Sequence, residues 1–328
     1  MRALIRSLAL LVGLLLITFA LPRALPGDPL DAMVQGGGQD TPLVLSPQTR
    51  AQLSAFYGLD RPLPVQLGHF LMETVHGDLG FSISYSQPVG RLILDRLPWT
   101  LLLVGLSLLA AGVLGSGLGL LAAWRHRSPR IRGLGAFLLL AGSLPDFVTG
   151  ILLILLLGVW LPLLPIAGAT TMFQDCGGFL PALACGADVL NHAALPALTL
   201  ALVQLPAFFL LMRAAALAEL GQPYILAARA RGLGPLAVAV RHIGRNAVLP
   251  IITLLGLRLG ALLGGVVVVE TLFAYPGLGQ LAYQAALARD IPVLQALLLL
   301  AGLAILLINA GADVVRRRID PRLRLEAA

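Results

Sequence analysis

Tyr224–Pro250 reads YILAARARGLGPLAVAVRHIGRNAVLP, and the fold turns on what this stretch is. It is basic, with Arg229, Arg231, Arg241 and Arg245, yet it lies between two long apolar runs. The Ala-rich residues up to Arg231 favour helix. Gly232 and Gly234 interrupt that helix, and Pro235 can open a second short one at its first position. The pattern predicts a helix, a glycine break and a second helix, joining two membrane spans. A loop that merely faced water would have no use for Ala227, Ala228, Leu233, Leu236 and Val240 on its surface. A docking surface for a partner protein would.

The composition sets the same frame. Of 328 residues, 58% are hydrophobic and 12% charged, against roughly 25% charged in a soluble protein. With a mean hydropathy of +0.90, the chain reads as a polytopic membrane protein of one domain. Its formal net charge of +7 is carried wholly by arginine, because the sequence contains no lysine. A basic chain can signal nucleic-acid binding, but the arginines here are placed as orientation signals. The missing lysine also excludes a P-loop, whose Lys must reach the β- and γ-phosphates. Any ATP-driven step is therefore powered by a separate subunit.

Working outward from the central loop, six apolar runs are expected to span, over about residues 8–21, 99–124, 134–160, 193–212, 248–269 and 292–315. Roughly 20 apolar residues suffice for a hydrocarbon core of about 30 Å. The first run, preceded by Arg2 and Arg6, also fits a signal peptide. Pro22-Arg23 interrupts the place where a small-residue cleavage site would lie, so we read an uncleaved span. Loop residues Arg125, Arg127, Arg130 and Arg132, the arginines of residues 213–247, and Arg316–Arg318 then all fall on one side with both termini. The opposite side holds Arg23, Arg50, Arg61, Arg91, Arg96 and Arg289. By the positive-inside rule the first side is cytoplasmic. Residues 22–98 form an outer segment, in which Ser46-Pro47 and the pattern Val65, Leu67, Phe70, Leu71, Val75 predict two short amphipathic helices, the second ending at Gly77.

Other features invite chemistry. Cys176 and Cys185 lie in an outer loop expected over residues 161–191. In an oxidising compartment they can pair; the alternative is two free thiols. There is no CxxC, and His69, His76 and His192 are too scattered to read as a metal site. Asp146 and Arg258 are ionisable residues inside apolar runs, which marks a transport path by default. Counted from the inner ends of their spans at 1.5 Å per residue, they lie about 18 Å and 15 Å deep. They are thus expected to face each other across the path, or each to face a water-filled cavity independently.

The central stretch also resembles a known family. Leu226-Ala227-Ala228-Arg229-Ala230-Arg231-Gly232, followed by Ile243 and Leu249-Pro250, is similar to the "EAA…G…I.LP" loop of ABC importer permeases, with Leu226 standing where the general pattern has Glu. The two arginines before the glycine resemble the peptide/nickel branch, the dipeptide/oligopeptide permease B-like family. Gly27-Asp28-Pro29, Gly77-Asp78-Leu79-Gly80, Glu270-Thr271 with Pro276-Gly277-Leu278-Gly279, and Asp320-Pro321-Arg322 follow the family's order. The resemblance thus covers nearly the whole chain.

It implies an all-α type I ABC importer permease fold in a bacterial inner membrane, with a cytoplasmic coupling loop at residues 213–247. In that loop Ala227, Ala228, Arg229, Arg231, Gly232, Leu233 and Gly234 would meet an ATPase. The implied partners are a second permease, two cytoplasmic ATPases that hold ATP and magnesium, and a periplasmic solute-binding protein. The implied cargo is a peptide or a related small solute such as a nickel chelate or a glutathione-like compound. The permease itself would be non-catalytic and hold no cofactor. The competing expectation is a self-contained secondary transporter, a class usually marked by internal repeats that this sequence does not show. An intramembrane enzyme is disfavoured, because G-x-S-x-G, H-E-x-x-H and paired intramembrane carboxylates are all missing.

Overall fold

The structure is a computed structural model that describes residues 2–24, 46, 48, 52, 61–82, 84–171 and 179–319. Proline sets many of the helix starts. Pro64, Pro129, Pro223 and Pro235 each stand in a first turn, where the missing N–H costs nothing and φ is already helical. The chain divides into two compact units, Met1–Trp99 with Pro276–Leu306, and Thr100–Tyr275 with Leu307–Ala328. The long helix Val89–Trp124 gives its first residues to one unit and the remainder to the other.

In the first unit, the helix Arg2–Ala24 lies against the end helix Ile291–Ile319, where Gln295 Nε2 donates to the Thr18 carbonyl at 2.7 Å. The amphipathic helix Leu63–Val75 packs on the first helix through Phe70 and Phe19, with ring centroids 5.8 Å apart. Gly77 ends it at φ +81°, so the expected stop is present. A hairpin follows, Phe81–Ser82 antiparallel to Gln87–Pro88, in register Phe81 to Pro88. The Ser82 hydroxyl donates to Asp290 Oδ2 at 2.5 Å, both residues being buried. Val89, Leu92 and Ile93 form the core of this unit with Leu281, Ala285 and Val293.

The second unit is built on helix contacts close enough to exclude side chains. A β-carbon at Gly119 would stand 2.5 Å from the Phe209 carbonyl oxygen, and one at Gly115 would stand 2.9 Å from that of Leu205. Two glycines one turn apart thus let Val89–Trp124 lie directly on the backbone of the helix Phe179–Leu220. Thr100 Oγ1 donates to Glu270 Oε1 at 2.7 Å, and Glu270 is fully buried.

The span boundaries differ from the sequence reading in instructive ways. Residues 134–160 are not one straight helix. Helix Pro129–Ala141 stops at Gly142, and a new helix begins at Asp146, turned by 107°. Pro145 disfavours helix in the residue before it, and the glycine at 142 admits the Pro206 ring against its backbone. The fourth helix starts at Phe179, inside the expected outer loop, and runs to Leu220 despite Pro196 and Pro206. The second starts at Val89, ten residues earlier than expected (99 − 89), and carries Pro98. The fifth is interrupted at Val266, between Leu249–Gly265 and Val267–Leu272.

Among the described residues, Val89–Trp124, Cys185–Leu220 and Ile291–Gly311 are long and apolar enough to cross a membrane. Two bent pairs raise that to five, and Ala9–Ala20 is a shorter apolar helix. Counted with Ala9–Ala20, the apolar segments number six among the described residues, and their lengths are unequal.

Candidate functional site

The central stretch folds as a rigid frame with an unpaired apolar face. Its first helix, Pro223–Ala230, ends in a paired cap. The Gly232 N–H donates to the Arg229 carbonyl at 2.9 Å, and the Leu233 N–H to the Ala228 carbonyl at 3.4 Å. This is the Schellman arrangement, which needs a left-handed residue between its two bonds. Gly232 supplies it at φ +77°. Gly234 then precedes the short helix Pro235–Ala237, a π-helical turn Val238–Gly244 and Arg245–Ala247.

Burial sorts the side chains of this frame cleanly. Ile225, Ala228, Val238, Ala239, Ile243 and Ala247 are buried. Leu226 is 64% exposed, Leu236 76%, Val240 57% and Leu233 41%. Arg229, Arg231, Arg241 and Arg245 are exposed among them, as are Ala227, Gly232 and Gly234. Many exposed leucines elsewhere among the described residues lie on long apolar helices that can face lipid. These alternate with guanidinium groups, which do not enter hydrocarbon cheaply. The face therefore suits neither lipid nor water alone.

Two anchors fix the frame to its neighbours. The Arg229 guanidinium lies 5.5 Å from the centroid of the Trp124 ring, a cation–π contact with the end of the long helix. The Tyr224 hydroxyl donates to Glu219 in the last turn of Phe179–Leu220, and accepts from Asn246 Nδ2 at 2.8 Å. Partial desolvation, and then the hydrogen bond to Glu219, hold the Tyr224 phenol above its ordinary pKa. One tyrosine thus ties the start of the loop to the helix before it and to the turn after it.

The remaining sequence-predicted residues fare differently. Asp146 is the first residue of a helix, where a carboxylate favours the positive end of the dipole. Arg258 is half-buried in Leu249–Gly265. Among the described residues no hydrogen bond or ion pair joins the two. The depth count that paired them assumed a straight helix from residue 134, and the bend after Gly142 removes that assumption. Cys185 is not a free thiol; its expected partner, Cys176, lies outside the described residues. Among the described residues no group of three His, Cys, Asp or Glu is placed to hold a metal.

The sequence reading missed Trp124, Tyr224 with Glu219, and the buried pair Thr100–Glu270. The Gly115–Gly119 seam it could have found, from the G-x-x-x-G spacing inside an apolar run.

Comparison with known proteins bears on the whole chain. Residues 115–325 match the family model described as "Binding-protein-dependent transport system inner membrane component". The dipeptide transport system permease protein DppB of Escherichia coli K12 is 33% identical over 333 residues, covering 95% of this chain and 94% of that protein. A Brucella ovis protein provisionally named a peptide permease is 35% identical over 320 residues, covering 97% and 96%. Among solved structures, an inward-facing form of the MetNI methionine ABC transporter matches with a TM-score of 0.51 at 19% identity. That match covers 70% of this chain and 96% of the other, and it is a likeness of fold.

Proposed function

Because the chain belongs to the family of binding-protein-dependent transport system inner membrane components, we propose that it forms half of the translocation path of a peptide importer. On this reading it is a type I ABC importer permease that carries a peptide or a related small solute. It makes and breaks no bonds itself. A second permease completes the path, two cytoplasmic ATPases drive it, and an extracytoplasmic binding protein delivers the solute. It lies in the inner membrane with both termini and the Tyr224–Pro250 loop in the cytoplasm. Family membership sets aside the secondary transporter.

The observation that carries the coupling role is the exposed set Leu226, Leu233, Leu236 and Val240, interleaved with exposed arginines on a frame that is itself packed and capped. Seated in a groove of an ATPase, the leucines bury apolar area and the arginines meet carboxylates at the rim. When the ATPases close, the frame moves as a unit, because Ile225, Ala228 and Ile243 are buried and Tyr224 is tied at both ends. The motion passes to Phe179–Leu220 on one side and Leu249–Gly265 on the other. For this to shift the permease between states, the ATPase must bind the two states with different affinity.

Leu236→Asp tests the reading. It places a charge where the most exposed leucine of the frame sits and alters no buried contact. The ATPases should no longer co-purify with the permease, while the permease still reaches the membrane. Normal co-purification and normal uptake would refute the proposed docking surface.

A further inference from the structure

A cleft outside the coupling face has the chemistry of a ligand site. It is a cavity of about 240 Å³ between the end of the Val89–Trp124 helix, the helix Pro129–Ala141 and the Phe179–Leu220 helix. Its polar lining is His126, Arg132 and Arg213, and no carboxylate lines it. The apolar lining includes Ala122, Ile131, Leu139, Phe209 and Leu210. His126 uses Nδ1 toward the Ala123 carbonyl at 3.1 Å, which leaves its other ring nitrogen for a ligand.

We propose that this cleft binds the phosphate headgroup of an anionic phospholipid, with the start of an acyl chain on the apolar wall. Two arginines lining one cavity can offer forked donors to phosphate oxygens. Basic pockets between membrane helices on the cytoplasmic side suit anionic headgroups for this reason. The second half of the argument is the wall. Leu139 is 44% exposed and Leu210 42% exposed, so the apolar lining continues out of the cleft onto exposed apolar surface that an acyl chain can cover. A free phosphate has no use for that wall; a lipid does. Arg213 lies seven residues before Leu220, where its helix ends and the coupling frame begins (220 − 213). A bound headgroup would therefore brace the helix that leads into the frame. The cytoplasmic placement rests on the orientation proposed above.

The test uses the assembled transporter in nanodiscs and native mass spectrometry, with dioleoylphosphatidylglycerol and dioleoylphosphatidylcholine as probes. One phosphatidylglycerol should be retained in preference to phosphatidylcholine. Arg132→Ala with Arg213→Ala should weaken its retention about thirtyfold. Arg125→Ala with Arg127→Ala removes the same charge from residues that do not line the cleft, and should leave retention within twofold. Leu139→Trp should also weaken retention, although every arginine is present. Equal losses in the two double variants would mean a diffuse charge effect and overturn the site. Displacement of the lipid by millimolar inorganic phosphate would mean a small-anion site instead. Retention by the isolated permease but not by the assembled complex would mean that a protein partner fills the cleft, which also overturns it. Nanodiscs offer the lipid to both leaflets, so failure here is distinct from failure of the orientation, which cysteine labelling from either side reads separately.

Discussion

Gly232 offers a test in which sterics and backbone strain come apart. Its φ of +77° lies in the left-handed region, and a β-carbon built on it would meet nothing within 4 Å. Any effect of a side chain there is therefore conformational. An L-residue in the left-handed region costs about 1–2 kcal/mol, and a β-branched one more. On the docking proposed above, the free loop can escape that strain by leaving the turn, whereas a docked loop held in the Schellman cap cannot. Affinity for the ATPase should fall by roughly 5- to 30-fold for Gly232→Ala, since 1–2 kcal/mol corresponds to that ratio. Gly232→Asn should lose less, because Asn tolerates this region, and Gly232→Val should lose most. Gly234 is the control. It too has open space where a β-carbon would go, but its φ is −61°, so Gly234→Ala should be nearly silent. The assay is titration of purified ATPase onto the permease in nanodiscs, read beside uptake in proteoliposomes. If Gly232→Val binds ATPase within twofold of the native chain, or Gly234→Ala is as harmful as Gly232→Ala, the reasoning fails.

Gly119→Ala drives a β-carbon against the Phe209 carbonyl and should destabilise the protein by about 1–3 kcal/mol, whereas Gly117→Ala, which meets nothing, should not; equal apparent unfolding temperatures would contradict the seam. Thr100→Val removes a donor to a fully buried carboxylate and should cost about 1.5–3 kcal/mol, read as a lowered unfolding temperature; an unchanged temperature would show that this bond contributes nothing. The effects of Asp146→Ala and Arg258→Ala on uptake should add in free energy in the double variant, since no hydrogen bond or ion pair joins them among the described residues; a double variant no worse than either single one would reveal a pairing in another state. A Cys176–Cys185 bridge would leave neither thiol open to labelling in the denatured, unreduced protein, and stoichiometric labelling of both would exclude it.

The loop was legible because its two signals contradict each other. Arginine at 229, 231, 241 and 245 says water, while Leu233, Leu236 and Val240 say burial, and the partner surface proposed above reconciles them. Gly232 was legible because a positive φ leaves a glycine in the sequence. The bend at residues 142–145 was not read, although Pro145 was visible. In an all-apolar run hydrophobicity has no period to lose, so the only sign of a turn is the proline itself. The early start of Phe179–Leu220 was hidden for the opposite reason, since Gly and Pro in residues 161–191 suggested a loop throughout. Thr100 and Glu270 lie 170 positions apart, and nothing local to either announces the other. The depth count behind the pairing of Asp146 with Arg258 lost its premise, since equal depth follows from equal residue counts only along unbroken helices.

The glycine seam has a mechanical meaning of its own. Gly119 bears on the backbone at Phe209, about 16 Å of helix from the Leu220 end and about 45 Å from the Phe179 end. A rod held at that point is a lever with unequal arms. Pressing the short end by about 2 Å would swing the long end by nearly three times as much, less whatever the two prolines at 196 and 206 absorb in bending. On the orientation proposed above, gearing of this kind would turn a small closure on the cytoplasmic side into a wide opening on the other.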